Sequence, residues 1–394
     1  MVTLQGEASD PANQNRLPYS NVTITNPLIT DSSNLILRLE MGDPKLLVPY
    51  WKMMSDKCSV VIEGWKFMSH ESDASNVCQY MLPELGDAIK RIHSLVHNAA
   101  IQDKHIIVGT GSTQLFHAAW FALSSSDSVR PINIVSAAPF YSLYLDGVKA
   151  LRSGLYQWAG DAATYDKDEP YIEMVTSQNN PVVRSASQGK LIHDLAYYWP
   201  QYTPITHHAD HDLMLFTFSK CTGHAGSRIG WAIVKDIQVA KKMVHFIQVS
   251  TTGVSKESQI RAAKILGVVC DSYQSLGPKG SEHFFDYGKR LLRERWDRMR
   301  QVIGQCEVFT VAKPSSAYCN FTKESFETNS AFAWVKCEGG IEDCGTYLKN
   351  LGILARPGRL FGVGPEFARI SMLSTNDEFD ELLTRLLNAR REYN

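Results

Sequence analysis

The sequence predicts an α/β fold, with a large domain built on a mostly parallel sheet and a smaller α+β domain. Three observations carry this prediction. From about residue 80, short runs rich in Val, Ile and Leu alternate with helical or turn segments, which is typical of strands buried on both faces of a parallel sheet. After Asp236 the pattern changes to three helical segments with Lys and Arg on their outer faces. Beyond about residue 305, strand and helix patterns mix again, as expected of a second domain.

Each predicted element follows from its local pattern. The apolar runs predict strands over residues 105–109, 132–136, 171–176, 190–194, 213–217, 229–234, 332–335 and 367–372. Helical patterns predict helices over residues 236–249, 255–271, 281–304, 344–351 and 379–393. Residues 1–33 are polar and rich in Asn, Ser, Thr and Pro, so we expect a loosely ordered extension. The large domain is predicted over residues 76–304, and the small domain over residues 34–75 and 305–394.

Composition narrows the class of protein. The 394 residues contain 40 Lys and Arg against 41 Asp and Glu, a net charge of -1, which excludes a polybasic nucleic-acid-binding protein and an acidic disordered one. The first residues show no secretion signal, and no apolar run approaches the roughly 20 residues of a membrane span. The eight cysteines are scattered without a C-x-x-C pair, which favours free thiols in a reducing compartment. We therefore expect a cytoplasmic enzyme or binding protein.

Residues 217–231 form the segment richest in chemistry. A predicted strand ends at Thr217, Lys220 follows it, and a Gly-rich loop leads to Arg228. In an open α/β sheet, ligands bind beyond the carboxyl ends of the strands, so Lys220 is expected to face a ligand. A lysine there can form a covalent bond with a carbonyl group if its surroundings lower its pKa. Taken alone, a lysine is more often a solvated surface residue, so this interpretation depends on the other segments.

Other predicted strand ends carry polar groups as well. Asp194 closes a strand, where a carboxylate suits a protonated ring nitrogen; its alternative role is to cap a helix. Residues 109–113 join a strand to a helix N-terminus, where backbone N–H groups and the helix dipole bind phosphate. This turn lacks the lysine of a P-loop and the three-glycine spacing of a dinucleotide site, which argues against a nucleotide. Residues 176–181 end a further strand in two amides and a proline.

Together these residues resemble a known class of enzymes. Asn180, Asp194, Tyr197, Lys220 and Arg228 follow the order and approximate spacing of the fold-type I pyridoxal-phosphate enzymes. Five longer segments resemble the alliinase / L-tryptophan–pyruvate aminotransferase-related family of plants: residues 108–115, 137–142, 193–200, 217–231 and 369–373. The similarity runs from about residue 41 to residue 387. It implies a fold-type I PLP-dependent transferase with pyridoxal 5'-phosphate as cofactor, most like the aminotransferases that make indole-3-pyruvate on the route to auxin.

The resemblance also implies roles for residues around the cofactor ring. Lys220 bonds the cofactor aldehyde and then moves the Cα proton as acid and base. Asp194 keeps the ring nitrogen protonated, so that the cofactor can accept electrons from Cα. Tyr197 and Asn180 donate hydrogen bonds to the phenolic oxygen of the ring, and Tyr141 stacks on its face.

Further residues are implied to hold the phosphate and the substrate. The phosphate ligands are the amides of Gly111, Ser112 and Thr113, the hydroxyl of Thr217 and the guanidinium of Arg228. Arg369 binds the substrate carboxylate through a bidentate pair of hydrogen bonds, which lysine cannot form. Without the resemblance, Arg369 would be interpreted as a surface residue of an edge strand. Gly42 lines the substrate side. Amino acids and 2-oxo acids are the expected substrates, and each active site is expected at a homodimer interface.

The chain departs from its relatives at several positions. His70 stands where relatives have a tyrosine that reaches the partner subunit's phosphate, so either His70 serves as the donor or the cofactor is held more weakly. Val182 and Val183 replace an Asp-Gly pair after the turn that contains Asn180. Residues 356–359 also differ, which leaves the selectivity for the substrate side chain open.

Three alternatives remain. Residues 207–212 contain enough His and Asp for a zinc site, but they precede a strand and so lie at the opposite edge of the sheet from the predicted pocket. An alliinase-type C–S lyase acting on S-alkyl-cysteine sulfoxides would use the same cofactor. A catalytically inactive relative with a binding role is the third, although it would have no need for Lys220 and Asp194. We expect no metal site and a PLP-dependent aminotransferase acting on L-tryptophan or a similar aromatic amino acid.

Overall fold

The structure is a computed structural model that describes residues 36–124, 130–176, 189–274 and 282–389. The predicted extension over residues 1–33 lies outside these ranges. The strands are β1 (Leu37–Arg38), β2 (His105–Gly109), β3 (Ile132–Ser136), β4 (Tyr156–Asp161), β5 (Tyr171–Thr176), β6 (Gly189–Asp194), β7 (Leu213–Thr217), β8 (Gly230–Val234), β9 (Phe309–Val311), β10 (Ser316–Cys319), β11 (Glu324–Glu327), β12 (Phe332–Cys337), β13 (Ile353–Leu354), β14 (Arg356–Pro357) and β15 (Phe367–Ser371).

The helices interleave with these strands. They are α1 (Val48–Met53), α2 (Ser55–Cys58), α3 (Pro83–Val96), α4 (Gly111–Leu123), α5 (Ser142–Leu151), α6 (Phe218–Cys221), α7 (Ile237–Thr251), α8 (Lys256–Gln274), α9 (Phe284–Gln305), α10 (Cys344–Asn350) and α11 (Asn376–Asn388). Across the described ranges, no helix combines the length and the apolar character needed to span a membrane.

Seven strands form the large sheet, in the order β2-β8-β7-β6-β5-β3-β4. Within the described residues, β8 runs antiparallel to both of its neighbours, and the remaining pairings are parallel. The carboxyl ends of the other six strands therefore meet at one edge of the sheet. Every residue of β7 and β8 is buried, as expected of central strands covered on both faces. The prediction of a large, mostly parallel sheet with helices is confirmed.

Two elements show where local patterns were too weak. The strand β4 was not predicted, because it lies at the edge of the sheet and buries only Tyr156. The helix α11 begins at Asn376, before the predicted start at residue 379. Its start is set by a capping box, in which Thr375 Oγ1 accepts from the backbone N–H of Glu378 while the Glu378 carboxylate accepts from the backbone N–H of Thr375.

A buried polar network joins α3 to the large sheet. The Trp231 indole donates to His93 Nε2 at 2.9 Å, and His93 Nδ1 lies 2.7 Å from Asn98 Oδ1. Burial lowers the pKa of His93 to about 4, so the ring is neutral and donates through Nδ1. Asn98 in turn donates to the carbonyl oxygen of Tyr198 at 2.7 Å. Every buried group in this chain of contacts has a partner, which fixes the helix against the sheet.

A second sheet of four strands, called the small sheet below, has the order β14-β15-β12-β9 and is antiparallel throughout. The N-terminal part of the chain lies beside it: β1 and β13 pair in parallel as a separate two-stranded sheet, and the backbone N–H of Ser371 on β15 donates to the carbonyl of Leu39 at 2.9 Å. The backbone N–H of Leu46 also donates to the carbonyl of Leu373 at 3.1 Å. These contacts bring residues 37–46 against residues 353–373, and the assignment of residues 34–75 and 305–394 to one small domain is not tested by them. The division into two domains remains a prediction.

The cysteines depart from the expectation of free thiols. Cys337, the last residue of β12, forms a disulfide with Cys344, the first residue of α10, and their Cα atoms are 5.4 Å apart. Their spacing of seven residues is not a recognisable pair in the sequence, and the turn between β12 and α10 brings them together. The other six cysteines are free.

Candidate active site

A cavity of about 380 Å³ lies where the strands of the large sheet end. Residues at or just after the carboxyl ends of five strands line it: Ser112 and Thr113 after β2, Tyr141 after β3, Thr176 on β5, Asp194 on β6 and Thr217 on β7. Because these strands run in one direction, their ends meet at one edge, as ligand sites in open α/β sheets do. The small sheet closes the other side of the cavity with residues of β12, β14 and β15.

The structure brings the sequence-predicted residues together. Those that line the cavity are Gly42, Ser112, Thr113, Tyr141, Asp194, Tyr197, Thr217, Lys220, Arg228 and Arg369. Gly111 lies directly behind them, against Arg228. Asn180 lies outside the described residues. His70 is not among the lining residues and lies near Tyr80, with 6.3 Å between the ring centroids.

Lys220 lies on the one-turn helix α6, directly after β7. Its Nζ donates to the carbonyl oxygen of Gly42. Burial lowers the pKa of Lys220 to about 8, and the positive charges of Arg369 and Arg228 act in the same direction, while Asp43 opposes them. A sizeable neutral fraction of this amine therefore exists near neutral pH, which is the form that attacks a carbonyl carbon or accepts a proton.

Side chains from distant parts of the chain hold the backbone of this lysine. Gln201 Nε2 donates to the carbonyls of Lys220 at 3.1 Å and Cys221 at 3.0 Å. The Trp51 indole donates to the carbonyl of Thr222 at 2.8 Å. A short helix leaves its last carbonyls without intrahelical partners, and these two side chains supply them. Local sequence patterns carried no sign of either contact.

Asp194 is a buried carboxylate at the floor of the cavity. The hydroxyl of Tyr144 donates to its Oδ2 at 2.7 Å, and the backbone N–H of Ala196 donates to its Oδ1 at 3.2 Å. Burial raises its pKa, and both hydrogen bonds oppose that effect. No helix begins after Asp194, so the structure excludes the capping role. A buried carboxylate that faces a cavity suits a cationic partner such as a protonated ring nitrogen. Tyr144 was missed, although it lies one helical turn after Tyr141.

An anion cradle lies at the N-terminus of α4. The first backbone N–H groups of a helix have no intrahelical acceptor, and the helix dipole favours a negative charge there. Gly111 has φ +77°, and a Cβ on it would overlap the Arg228 guanidinium, so only glycine permits this approach. Thr217 places its hydroxyl at the same edge of the cavity. This donor set fits a phosphate group.

Arg369 faces the cavity from the small sheet. Its guanidinium carbon lies 3.7 Å from the ring centroid of Phe332 and 4.5 Å from that of Phe361. Its Nη2 donates to the carbonyl of Glu40 at 3.2 Å, and within the described residues its buried Nε has no hydrogen-bond partner. Burial lowers its pKa to about 10, so it stays charged at neutral pH. It is thus buried in the cavity wall, and the interpretation as a surface residue was wrong.

Gly42 permits a close approach between the two halves of the cavity. A Cβ at this position would lie 2.6 Å from Phe332 Cζ, 3.1 Å from Lys220 Nζ and 3.2 Å from the Tyr197 hydroxyl. The rest of the substrate side is largely apolar and aromatic. Sequence reasoning pointed to it only through residues 356–359, whose departure from relatives left the selectivity for the substrate side chain open. The residues of this side are Phe140, Leu143, Phe332, Trp334 and Phe361, together with the cation Arg356.

The residues of the zinc alternative make other contacts. The imidazoles of His193 and His211 are stacked with their centroids 3.5 Å apart, Lys104 pairs with Asp210, and the Tyr198 hydroxyl donates to the carbonyl of His207 at 2.8 Å. Within the described ranges, no three His, Cys, Asp or Glu residues are grouped so that they could hold a metal ion.

The fold and this cavity define a fold-type I pyridoxal-phosphate enzyme. Among solved structures, aspartate aminotransferase from Rhizobium meliloti matches with a TM-score of 0.62 at 18% identity, covering 91% of this chain and 92% of that one. A family model described as Allinase matches residues 37–390, and the chain belongs to this alliinase family. Its cofactor is pyridoxal phosphate, which members of the family use.

Individual relatives carry two kinds of name. Tryptophan aminotransferase-related protein 2 of Arabidopsis thaliana is 48% identical over 368 residues, which cover 92% of this chain and 83% of that protein. Alliin lyase of Allium cepa var. aggregatum is 36% identical over 359 residues, which cover 87% of this chain and 79% of that protein. The resemblance recognised in the sequence is therefore confirmed at the level of the family.

Proposed function

We propose that the protein is an aminotransferase that takes the amino group of L-tryptophan or a similar aromatic amino acid and passes it to pyruvate or another 2-oxo acid. The product from tryptophan is then indole-3-pyruvate, and the place of the enzyme is the route to auxin. The observation that carries the proposal is the single cavity that joins Lys220 and Asp194 to a buried guanidinium, Arg369, held between aromatic rings. The higher identity to the tryptophan aminotransferase-related protein favours this donor.

The cofactor half of the cavity offers a partner for each polar group of pyridoxal phosphate. The carboxylate of Asp194 would hold the ring nitrogen in its protonated form, Tyr197 would bind the phenolic oxygen, and Tyr141 would contact the ring. Asn180, which lies outside the described residues, is proposed as a second partner of the phenolic oxygen. The phosphate would be held by Gly111, Ser112, Thr113, Thr217 and Arg228. When bound, the cofactor supplies an electron sink that stabilises negative charge at the substrate Cα.

Lys220 moves the proton. Its Nζ would take the proton from Cα and deliver it to the cofactor's aldehyde carbon instead of back to Cα, and a pKa of about 8 matches a base that works near neutral pH. The carbonyl of Gly42, which accepts from Nζ, and the two side chains that cap α6 keep the amine pointed into the cavity. Positioning of this kind is a large part of the effect of a proton-transferring group.

Arg369 orients the substrate. Its guanidinium binds the carboxylate in a planar pair, and its contacts with the rings of Phe332 and Phe361 and with the carbonyl of Glu40 restrict its position. The apolar wall at Leu143 and Trp334 then receives an aromatic side chain and keeps water away from Cα.

The direct test is to incubate the purified holoenzyme with L-tryptophan and pyruvate and to identify the products. We expect indole-3-pyruvate and alanine in equal amounts, and none from a Lys220→Ala variant. Ammonia and pyruvate released from an S-alkyl-cysteine sulfoxide, without amino transfer, would instead support the C–S lyase alternative. A wild-type protein that binds the cofactor but acts on neither substrate would support the inactive-relative alternative.

A homodimer is part of the proposal. Met53, Val61, Trp65 and Met68 expose 70 to 89% of their surface, and they follow closely on the cavity residues 40–43. Exposed apolar side chains of this size are typical of an interface between subunits. Light scattering should give twice the mass of the chain, and Trp65→Glu should weaken both the dimer and cofactor binding. A monomeric, fully active wild type would contradict this part. The contact of His70 with the partner's phosphate remains a prediction.

A cytoplasmic location also remains a prediction. The disulfide between Cys337 and Cys344 weighs against it, because structural disulfides are uncommon in reducing compartments. Counting the free thiols of protein isolated from its own tissue, with alkylation at lysis, would decide the matter. Eight free thiols fit a reducing compartment, and six fit an oxidising one.

A further inference from the structure

Three cavity residues stand side by side across the small sheet. Trp334 on β12 is the register partner of Arg369 on β15, and Arg369 is the register partner of Arg356 on β14. Side chains of directly opposed residues project from the same face of a sheet, with Cβ atoms roughly 5 Å apart. All three line the cavity. The small sheet therefore presents two guanidinium groups to the substrate side.

Neither of these two charges forms an ion pair among the described residues, although the carboxylates of Glu40, Asp43 and Asp194 line the same cavity. Arg356 donates from Nη1 to Ser142 Oγ at 2.7 Å, and Arg369 donates from Nη2 to the carbonyl of Glu40. Neither arginine has a carboxylate within ion-pair distance in the described ranges, and Glu40 pairs with Arg38. Like charges placed directly opposite each other destabilise a sheet, and burial increases the cost. Since arginine cannot lose its proton at neutral pH, the pair calls for an anion between the two groups.

We infer that Arg356 is a second substrate-binding residue, which binds the α-carboxylate together with Arg369 and makes the site select acids over neutral analogues. The inference rests on the proposed function, because that function supplies an amino acid as the ligand. Arg356 lowers the pKa of Arg369, as a neighbouring cation does. Ser142 opens α5, so the dipole of that helix adds positive potential beside Arg356.

A structural role for Arg356 is the competing explanation. Its bond to Ser142 ties the small sheet to α5 across the cavity, and that tie could be its whole purpose. Ser142→Ala removes this bond and leaves both guanidinium groups in place. It is therefore the matched control for Arg356→Gln, which removes the charge and the bond together. Arg356→Lys keeps the charge and loses the planar fork.

The test is a calorimetric titration of the holoenzyme with indole-3-propionate and with indole-3-propanamide. Neither probe has an amino group, so binding is measured without reaction. We expect the wild type to bind the acid more tightly than the amide. In Arg356→Gln the dissociation constant of the acid should rise by about 10- to 100-fold, the range expected for loss of a hydrogen bond between charged groups. Binding of the amide should change by less than about 3-fold in the same variant. Ser142→Ala should behave as the wild type, Arg356→Lys should fall between, and Arg369→Gln should lose the preference for the acid.

Several results would overturn the inference. Equal losses for acid and amide in Arg356→Gln, or equal effects of Arg356→Gln and Ser142→Ala, would assign Arg356 a structural role. No preference for the acid in the wild type would mean that neither arginine binds a carboxylate. If Arg356→Gln binds indole-3-propionate normally but no longer binds oxaloacetate, a dicarboxylic acid, then Arg356 would bind the second carboxylate of such a ligand and not the α-carboxylate. If Arg356→Gln selectively weakens binding of the acid, yet the wild type transfers no amino group from tryptophan, the proposed function fails and the carboxylate-binding role of Arg356 stands.

Discussion

The two halves of the cavity are built by different means. The cofactor half is made from the ends of parallel strands and the first turn of α4, so backbone geometry places its donors. The substrate half is made from side chains on the face of the small sheet, stacked on one another as Arg369 is on Phe332 and Phe361. A change of backbone should therefore damage the first half, and a change of side-chain shape or charge the second. Lys220 lies where they meet, since its Nζ contacts the carbonyl of Gly42.

The largest effect is expected where both halves depend on one residue. In the proposed function Lys220 bonds the cofactor and moves the proton, so Lys220→Ala should lower kcat by at least about 10³-fold. The visible absorbance of the lysine-bound cofactor should disappear in the same variant. Lys235→Ala, which removes an exposed lysine paired with Asp212, is the control and should change neither. More than a hundredth of the wild-type activity in Lys220→Ala would contradict this role.

The next effect isolates the cofactor half. Asp194→Asn removes the charge at the floor of the cavity, and kcat should fall by about 10²- to 10³-fold. Tyr144→Phe should act more mildly. Because the Tyr144 hydroxyl lowers the pKa of Asp194, its loss raises that pKa further, and the acid limb of the kcat/KM profile should move to higher pH. Tyr156→Phe, on β4, is the control. If the acid limb of the kcat/KM profile does not move in Tyr144→Phe, ionisation of Asp194 does not control the reaction.

Substitutions at two glycines, one in each half of the cavity, allow the halves to be compared directly. Gly111→Ala places a methyl group against Arg228 at positive φ, so the dissociation constant of the cofactor should rise by about 10-fold or more, with the KM for the amino acid little changed once cofactor is saturating. Gly42→Ala places a methyl group against Phe332 and Lys220, so the KM for the amino acid should rise. The dissociation constant of the cofactor should stay within about 3-fold of the wild-type value. Fluorescence titration and steady-state kinetics give both quantities. The same response in both variants would show that the halves are not separable.

The smallest effect measures the coupling between the halves. The rate at which pyridoxal phosphate attaches to the apoprotein should rise with pH, with a midpoint near the Lys220 pKa of about 8, because the neutral amine reacts. Arg369→Gln removes a cation that lowers this pKa, so the midpoint should move up. Asp43→Asn removes an anion that raises it, so the midpoint should move down. Midpoints that do not move in opposite directions would mean that the substrate side does not tune the lysine.

The same division explains what the sequence could predict. The strand bounds 105–109, 132–136, 171–176 and 213–217 agree with the structure residue for residue, because strands that are buried on both faces of a sheet are short apolar runs. The cofactor half follows these runs, so Asp194, Thr217 and Lys220 could be located from their positions at strand ends. Local reasoning alone left open whether they shared one cavity.

The substrate half and its supports carried weaker signals. The Trp51 indole binds a carbonyl 171 residues away, and Arg356 reaches Ser142 over 214 residues, so no local pattern encodes either contact. The aromatic wall at Phe332 and Trp334 lay within a predicted strand, but which face of that strand met the cavity depended on how the two sheets pack. The disulfide was missed for a different reason: its cysteines are only seven residues apart, but it is the turn before α10, which the sequence did not reveal, that brings them together.

Amino transfer from tryptophan is tested most directly by the first half-reaction alone. The holoenzyme is mixed with L-tryptophan in the absence of any 2-oxo acid, quenched, and assayed for indole-3-pyruvate and ammonia per active site. We expect one equivalent of indole-3-pyruvate, no ammonia, and no further turnover until pyruvate is added, when alanine forms. Continued release of ammonia without an acceptor, or no indole-3-pyruvate at all, would contradict amino transfer from tryptophan.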